Sequence, residues 1–339
     1  MAHGTTIPAE LGRGGLRGLP GLPAPAPGPS VRDLASSSRR AAQAGWNVLW
    51  TGVTGLATLW IVAIVVVILG TIVLGGWQTV TWEFLTANPE NGMTEGGIFP
   101  AIFGTVALVL LMIVAVLPVG VLAAVYLHEY ARAQSPITRA VRFAVNNLAG
   151  VPSIVFGLFG LGFFVQFVGR GIDGALGQSV LFGQPAILWA ALTLALLNLP
   201  VVIVATEEAL RAVPRSAREG SLALGATRWQ TVWHVILPQA LPGVLTGAIL
   251  SVSRGAGEVA PILFTGAAYY LPYLPTSPTD QFMELGYHVY VLATQSPNVE
   301  QTLPLLYGTV LVLLVLTFAL NFTAIFLRSR IRRRMGLGD

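Results

Sequence analysis

The 339-residue sequence contains no cysteine and no lysine, and only 10% of its residues are charged. The absence of cysteine excludes disulfides and cysteine-ligated metal sites, and the four histidines lack the spacing of a zinc site. The absence of lysine excludes a Walker A loop, whose lysine binds the phosphates of ATP. If ATP and Mg²⁺ drive this protein, they bind another polypeptide, so we expect no cofactor in this chain and no enzymatic activity of its own.

Apolar residues are abundant: they make up 54% of the chain, and the mean hydropathy is +0.71. A soluble domain with a hydrated surface does not have this balance, so the composition predicts an integral membrane protein. Several apolar runs are long enough to cross about 30 Å of hydrocarbon, which predicts an all-α polytopic protein. The six predicted spans are residues 52–75, 101–126, 146–168, 186–206, 241–267 and 303–327.

The arginines lie almost entirely in alternate loops. Five precede the first predicted span, three lie in residues 127–143, four lie in 207–240 and five follow residue 327. The other loops contain only Arg170, and Arg254 lies inside a predicted span. By the positive-inside rule, both termini are expected on the cytoplasmic side.

The predicted membrane domain, residues 46–330, lies between two tails. Residues 1–45 are rich in Pro, Gly, Ala and Ser, which predicts a disordered cytoplasmic tail. A transit peptide is the alternative, but the Pro and Gly content disfavours the amphipathic helix it would need. Residues 331–339 form a basic cytoplasmic tail.

The segment between the fourth and fifth spans, residues 207–240, contains more helix signals than a simple tether needs. Pro214 ends the preceding helix, Ser216 can cap a short helix, Gly225 can close it, and Thr227 can cap the next one. The pattern predicts a helix-turn-helix beside the membrane. It serves either as a rigid connector or as a contact surface for a partner.

This segment resembles a known signature. Glu219, then Gly225 six residues later, then Leu237 and Pro238 resemble the E-A-A motif of ABC-importer permeases, with Gly220 and Ser221 replacing the two alanines. The resemblance implies that residues 207–240 form a coupling loop, whose short helix sits in a cleft of a separate ATPase subunit. The residues implied in this contact are Glu219, Gly220, Ser221, Leu224 and Gly225.

The similarity extends over about residues 50–330. The stretches that resemble phosphate-importer permeases of the PstA type are "GGIFPAIFGT" (96–105), "YLHEYA" (126–131), "LAGVPSIVFGLFGLGFF" (148–164), "SRGAGEVAPILFT" (253–265) and "YHVYVLAT" (287–294). The resemblance implies a type I ABC-importer permease fold in a bacterial inner membrane. It also implies three partners: a second permease subunit of the PstC type, an ATPase subunit dimer and an extracytoplasmic phosphate-binding protein. Membrane lipid is the remaining expected contact, and no nucleic acid is expected.

Two charged residues, Arg254 and Glu258, lie inside the fifth predicted span. On a continuous helix they share a face with a stripe of small residues, which allows close approach of another helix. The charged pair therefore points into protein, where it either fixes helix packing or lines a pathway for an anion. The small residues of the stripe are Gly243, Gly247, Ser251 and Gly255.

Other functions remain open from the sequence. A permease for another oxyanion, such as sulfate or molybdate, would use the same arginine chemistry. An ion-coupled secondary carrier would keep the charged pair without needing the 207–240 segment. His128 and Glu129 are candidates for a proton relay, but a solvated pair or a helix cap is the simpler interpretation.

Overall fold

The computed structural model describes residues 31–93, 95–132, 134–177, 180–296 and 299–334, which are mostly helical. Two short strands, β1 (Pro89–Glu90) and β2 (Glu95–Gly96), pair antiparallel with Pro89 opposite Gly96. The helices are α1 (Val31–Gly76), α2 (Trp82–Thr86), α3 (Phe99–Val125), α4 (Pro136–Leu148), α5 (Ser153–Phe159), α6 (Arg170–Leu176), α7 (Ile187–Ala212), α8 (Arg215–Ala223), α9 (Arg228–Thr231), α10 (Leu237–Gly255), α11 (Leu285–Thr294) and α12 (Val299–Arg334).

Six helical runs in the described residues are long and apolar enough to cross a membrane. This confirms the all-α, multi-pass architecture that the sequence predicts. Three of the runs include π-helical turns, at Tyr126–Tyr130, Gly160–Gly169 and Val232–Ile236. The runs are Trp46–Gly76, Phe99–Tyr130, Ser153–Leu176, Ile187–Ala212, Arg228–Gly255 and Glu300–Arg333.

The first helix begins earlier than expected. α1 starts at Val31, so residues 31–45 of the predicted disordered tail are helical. The reason lies in the sequence, because Pro29 is the last proline before the span and residues 31–44 contain no glycine. Residues 1–30 of the predicted tail lie outside the described residues, as do residues 335–339 of the basic tail.

The third span begins at Ser153, so the predicted start at residue 146 is wrong. The residues before it belong to α4, a separate amphipathic helix. Gly150 and Pro152 separate the two helices, because proline disfavours the helical conformation of the residue before it. α4 is instead tied to α7 by an ion pair, in which Arg142 Nη1 lies 2.8 Å from Glu207 Oε2.

The fifth span begins at Arg228, well before the predicted residue 241. α9, the π-helical turn and α10 form one continuous helical run, so Pro238 lies inside the span and not at its entrance. The π-helical turn ends two residues before Pro238. Proline's ring and missing N–H disturb the regular hydrogen-bond pattern, and the widened turn accommodates this disturbance.

The same span ends at Gly255, and the predicted end at residue 267 is wrong. The chain continues through turns, so the predicted helical projection does not apply to Pro261 or to the residues after it. Gly255 and Gly257 are poor helix formers, and Pro261 has no N–H to donate to a further helical turn. These three residues together account for the early end.

The core of the molecule is organised around α7. The division of the chain places residues up to Val66 in one unit and residues from Val67 onward in a second unit, which contains α7 and the core. α7 packs along both α3 and α10. Close packing with α3 occurs at Gly120, where an added Cβ would lie 2.6 Å from Val202 Cγ1. Most of α7 is buried, so its sequence is apolar on every face.

Candidate functional site

The α8 loop, defined as residues 213–227, is built by local signals. Gly225 has a φ of +87°, and its N–H donates to the Leu222 carbonyl at 3.0 Å. The Ala226 N–H donates to the Ser221 carbonyl at 3.2 Å, which completes a Schellman motif at the end of α8. Thr227 then caps α9 through a capping box with Gln230. The expected cap at Ser216 is wrong, since α8 already begins at Arg215.

The motif residues of the α8 loop project outward. Glu219 and Gly220 are exposed, and Leu224 is 91% exposed. Ser221 is half-buried because its Oγ lies 3.0 Å from Thr231 Oγ1, which joins α8 to α9. An exposed leucine beside an exposed carboxylate, on a rigid turn, is a surface suited to a protein partner.

The charged pair forms at the end of α10, although Glu258 lies outside the helix. Arg254 Nε donates to Glu258 Oε1 at 3.1 Å. Ala256 keeps near-helical backbone angles of φ −69° and ψ −18°, so the turn after the helix still brings the two side chains together. The side chains are 41% and 20% exposed, respectively. The pair therefore faces open space in the single chain.

The end of α10 lies at mid-height in the helix bundle. An added Cβ on Gly255 would lie 2.6 Å from the Met112 sulfur, and Met112 is near the middle of α3. Asn198, near the middle of α7, donates from Nδ2 to the same sulfur at 3.4 Å. Since α3 and α7 are both long and apolar enough to cross a membrane, Arg254 lies beside the middle of two candidate membrane spans. A discontinuous helix with a charged end at this depth is typical of a transport site.

The predicted stripe of small residues lies against α7 and α3. Gly243 faces Ala209, and a Cβ on Gly247 would lie 2.8 Å from Ala205 Cβ. Ser251 is fully buried, and Gly255 faces Met112. The stripe therefore packs within this chain, while the charged pair at its end stays partly exposed.

Asn198 is a buried polar residue that the sequence analysis missed. It is fully buried, and among the described residues neither its Oδ1 nor the buried Ser251 Oγ of α10 has a hydrogen-bond partner. The available signal is a single amide within the apolar stretch "ALLNLPVV" of the fourth span. Polar side chains inside a membrane bundle commonly have a functional role. Asn198 is therefore a further candidate residue of the transport pathway.

Residues 256–284, here called the 256–284 segment, follow α10 where the sequence predicted the rest of the fifth span. The segment is held by backbone hydrogen bonds to the start of α7: Ala186 N–H donates to the Thr265 carbonyl at 2.9 Å, and Ile187 N–H donates to the Asp280 carbonyl at 2.9 Å. At its end, Leu285 N–H donates to Thr105 Oγ1 of α3 at 3.0 Å. The segment is therefore a packed part of the bundle and not a free loop.

Glu284 closes this segment and caps α11. Its carboxylate accepts hydrogen bonds from Gly286 N at 2.9 Å and Tyr287 N at 2.7 Å, although the residue is only 2% exposed. Burial raises the pKa of Glu284 to about 7, against the opposing effect of the two backbone donors. Burial also lowers the pKa of His288 to about 4. The sequence signal was an acidic residue directly before an apolar run.

At the opposite end of the bundle, an ion pair joins α8 to α3. Arg218 Nη2 lies 2.7 Å from Glu129 Oε1, and the side chains are 28% and 11% exposed. His128 Nε2 lies 3.7 Å from the same carboxylate oxygen. The interpretation of Glu129 as a solvated residue is therefore wrong. The Arg218–Glu129 pair lies near the start of the helical run from Arg228 to Gly255, and the Arg254–Glu258 pair lies at its end. This run has 28 residues and is about 40 Å long at 1.5 Å per residue.

Comparison with known proteins agrees with this arrangement. Residues 116–337 match the family described as "binding-protein-dependent transport system inner membrane component". The chain is 32% identical to the probable ABC transporter permease protein YqgI of Bacillus subtilis, over 85% of this chain and 96% of that protein. It is 37% identical to the probable phosphate transport system permease protein PstA of Methanocaldococcus jannaschii, over 70% of this chain and 76% of that protein.

The fold is also similar to that of solved transporters. A chain in the crystal structure of a bacterial alginate ABC transporter superposes with a TM-score of 0.61 at 14% identity, covering 86% of this chain and 97% of that one. This likeness concerns the fold alone, whereas the family match and the sequence relatives concern descent. The chain is a transport subunit of the membrane and belongs to the family of binding-protein-dependent transport system inner membrane components.

Proposed function

We propose that this chain is the permease subunit of an ATP-driven importer of inorganic phosphate. The observation that carries the proposal is Arg254, a partly exposed arginine at mid-height in the bundle, at the end of a discontinuous helix. Relatives named as PstA phosphate permeases, at 31–37% identity, support the choice of anion.

The chemistry of the pair suits a phosphate. A guanidinium offers planar donors that match phosphate oxygens, and it stays charged in a low-dielectric environment. Glu258 occupies one donor, Nε, and leaves the two terminal nitrogens of Arg254 for an anion. The carboxylate also offsets the charge of Arg254 while no anion is bound, so the site does not hold its substrate too tightly.

The exposure of the pair supports a second permease subunit. A charge at mid-membrane is expensive when it faces lipid, so exposed Arg254 and Glu258 require a protein or water neighbour. A subunit of the PstC type, packed against this face, would enclose the pathway between two permeases. Each permease would then supply half of the walls.

An external energy source is needed for this transport. Moving an anion into an inside-negative cell is uphill by about 2.3 kcal/mol per charge per 100 mV. We assign this work to a dimer of ATPase subunits that bind ATP and Mg²⁺ and contact Glu219 and Leu224 of the α8 loop. The permease itself is non-catalytic. Both termini and the α8 loop then lie in the cytoplasm, and an extracytoplasmic phosphate-binding protein delivers the anion from the other side.

The alternatives are separable. Membership of a binding-protein-dependent transport family sets aside the ion-coupled secondary carrier. A sulfate or molybdate permease would share the arginine but not the anion preference. Competition between labelled phosphate and an excess of each other anion decides between them, and inhibition by sulfate or molybdate equal to that by unlabelled phosphate would overturn the choice of phosphate.

The decisive test is phosphate uptake by the reconstituted complex with Arg254→Gln. Loss of a charge-assisted contact with the anion predicts at least about a tenfold fall in uptake. Arg170→Gln is the matched control, because Arg170 is the other arginine outside the Arg-rich loops, and it should leave uptake near the wild-type rate. Wild-type uptake by an assembled Arg254→Gln complex would contradict the pathway role.

A further inference from the structure

The α8 loop and the charged pair lie at the two ends of α9 and α10, yet both also contact α3. At the Arg-rich end, Arg218 of α8 donates to Glu129, which follows α3 in its π-helical turn. At mid-height, Met112 of α3 lies against Gly255, next to Arg254. α3 is thus a second connection between the loop and the pair, independent of the chain connection.

The Arg218–Glu129 contact at the Arg-rich end can pass a displacement of α8 to the end of α3. The Glu129 carboxylate is 11% exposed, and Arg218 Nε is buried and unpaired among the described residues, so little solvent competes for the pair. A cavity of about 280 Å³, lined in part by Leu222 and Arg228, lies beside it. In the described residues, α8 contacts the turn after α3 through the charge-assisted hydrogen bond from Arg218 to Glu129, beside this cavity.

The local shape of α3 holds Glu129 in place. The π-helical turn Tyr126–Tyr130 ends the helix, with the Ala131 N–H donating to the Tyr126 carbonyl at 2.9 Å. Such turns occur frequently at functional positions in helices. Above the turn, α3 is helical from Phe99 to Val125, with Pro118 between the turn and Met112, so a displacement of its end reaches Met112 along the helix and across this proline.

The contact at mid-height couples α3 to the charged pair. The Met112 side chain is fully buried, with its sulfur against Gly255 and in reach of Asn198 Nδ2 at 3.4 Å. Gly255 has no side chain to separate the sulfur from the α10 backbone. A shift of α3 therefore pushes Met112 against the last turn of α10. Arg254 directly precedes Gly255 in that turn.

We propose that Glu129 and Met112 are positioning residues that transmit motion of the α8 loop through α3 to Arg254 and Glu258. ATPase movement pulls on Arg218, the ion pair moves α3, and Met112 then displaces the end of α10. This inference rests on the proposed function, because it requires an ATPase on the α8 loop. It adds the path by which the loop reaches the anion site.

A second ion pair provides a matched control. Arg142 and Glu207 are joined at 2.8 Å, with side chains 35% and 10% exposed, and this pair joins α4 to α7 without including α8. Because Arg142 Nη2 also donates to the Leu127 carbonyl in the turn that holds Glu129, the control changes Glu207 and keeps Arg142. Its loss removes a comparable contact at the same end of the bundle. A purely structural role predicts that both pairs affect assembly and neither affects coupling.

The test measures ATP hydrolysed per phosphate imported by the reconstituted complex. Arg218→Glu and Glu129→Arg are each expected to raise this ratio at least about fivefold, the lower end of measured coupling factors between linked sites. The double variant, which restores the pair in reverse, should return the ratio toward the wild-type value. Glu207→Gln, which leaves the Arg142–Leu127 hydrogen bond in place, should leave the ratio unchanged. Equal ratios in the wild type and both single variants would overturn the role of Glu129.

Two further pairs of variants keep the test decisive. If charge reversal prevents assembly, Glu129→Asp should retain a lower ratio than Glu129→Gln, and equal ratios would count against the inference. Met112→Ala should raise the ratio while the volume-conserving Met112→Leu should not, and an unchanged ratio with alanine would overturn the mid-height step. A wild-type complex that imports no phosphate would instead contradict the proposed function.

Discussion

The α8 loop and the 256–284 segment are both irregular connections next to α10, but they are built in opposite ways. The turns of the α8 loop are built by bonds between near neighbours, such as Gly225 to Leu222 and Thr227 to Gln230, and the loop stays largely exposed although Arg218 also pairs with Glu129. The 256–284 segment is held by bonds to α3 and α7, more than 70 residues away in sequence, and much of it is buried. A surface that must meet a partner can be self-supporting, whereas a segment that completes a membrane bundle depends on its neighbours.

The difference extends to how each region accommodates glycine. In the α8 loop, Gly225 provides a left-handed backbone conformation and has no atom within 4 Å of a virtual Cβ in the described part of the chain. Where the 256–284 segment packs against the bundle, glycines allow two backbones to approach closely. A Cβ on Gly104 of α3 would overlap the Met283 carbonyl oxygen, and one on Gly266 would overlap the Ala186 carbonyl oxygen. A single substitution should therefore affect the two regions differently.

The largest effect is expected from Gly104→Val. The added side chain would meet the Met283 carbonyl oxygen, which lies next to the Leu285–Thr105 hydrogen bond. Neither α3 nor the 256–284 segment can therefore move away easily. Overpacking of this kind costs about 1–3 kcal/mol and occasionally more. We expect a markedly lower unfolding temperature of the detergent-solubilised chain.

The matched control for this substitution is Gly162→Val. Gly162 also lies in a helical part of a span, but within the described residues no atom lies within 4 Å of its virtual Cβ. Equal unfolding temperatures for the Gly104 and Gly162 variants would mean that the 256–284 segment does not depend on its close contact with α3.

The second prediction concerns Glu284 and pH. Its folded pKa is raised from 4.5 to about 7, so its contribution to stability is fully present below the unfolded pKa and is lost as pH rises through about 7. We expect the unfolding temperature of the wild type, relative to Glu284→Gln, to fall by a few degrees between about pH 5 and pH 8. His288, with its pKa lowered to about 4, changes stability in the opposite direction, but it is present in both proteins.

Asp280 is the control for this prediction. Hydrogen bonds from the Ser277 and Thr276 N–H groups lower its pKa from 3.8, so its contribution to stability is lost only as pH falls through that lowered value. The unfolding temperature of the wild type relative to Asp280→Asn should therefore stay constant over the same range. A flat profile for Glu284→Gln as well would show that the carboxyl of Glu284 titrates normally.

The contrast between the two regions also explains what the sequence could predict. Gly225 and Thr227 determine their turns through bonds to residues within five positions, so the pattern of the α8 loop is readable directly. The spacing of Arg254 and Glu258 placed both charges on one face for the same reason, and their side chains form a hydrogen bond there. The end of α10 at Gly255 could not be predicted, because the apolar residues after Gly255 are as compatible with a continuing membrane helix as with a turn.

The roles of Asn198 and Glu129 depend on distant partners. Asn198 contacts Met112 across 86 positions, and Glu129 contacts Arg218 across 89. No periodicity within one helix indicates which residue of another helix will face it. The all-α, multi-pass architecture followed from hydropathy, whereas these pairings required the packed bundle.

The smallest and most local effect is expected from Gly225→Ala. An alanine in the left-handed conformation costs about 1–2 kcal/mol, which should loosen the end of α8 without disturbing the bundle. Gly220→Ala is the control, because Gly220 lies within α8 and alanine favours a helix there. If the α8 loop docks an ATPase as one rigid piece, Gly225→Ala weakens ATPase binding about tenfold, at 1.4 kcal/mol per factor of ten, while Gly220→Ala leaves it equal or stronger.

Both glycine variants should leave the unfolding temperature of the bundle nearly unchanged. In the described residues neither position has an atom within 4 Å of a virtual Cβ, and the backbone strain of Gly225→Ala can relax by loosening the exposed turn alone. A large fall in unfolding temperature for Gly225→Ala would place the α8 loop in the same class as the 256–284 segment, dependent on the bundle for its shape. Weaker ATPase binding at unchanged stability would instead separate the two regions, because a locally built surface can lose its partner while the fold beneath it stays intact.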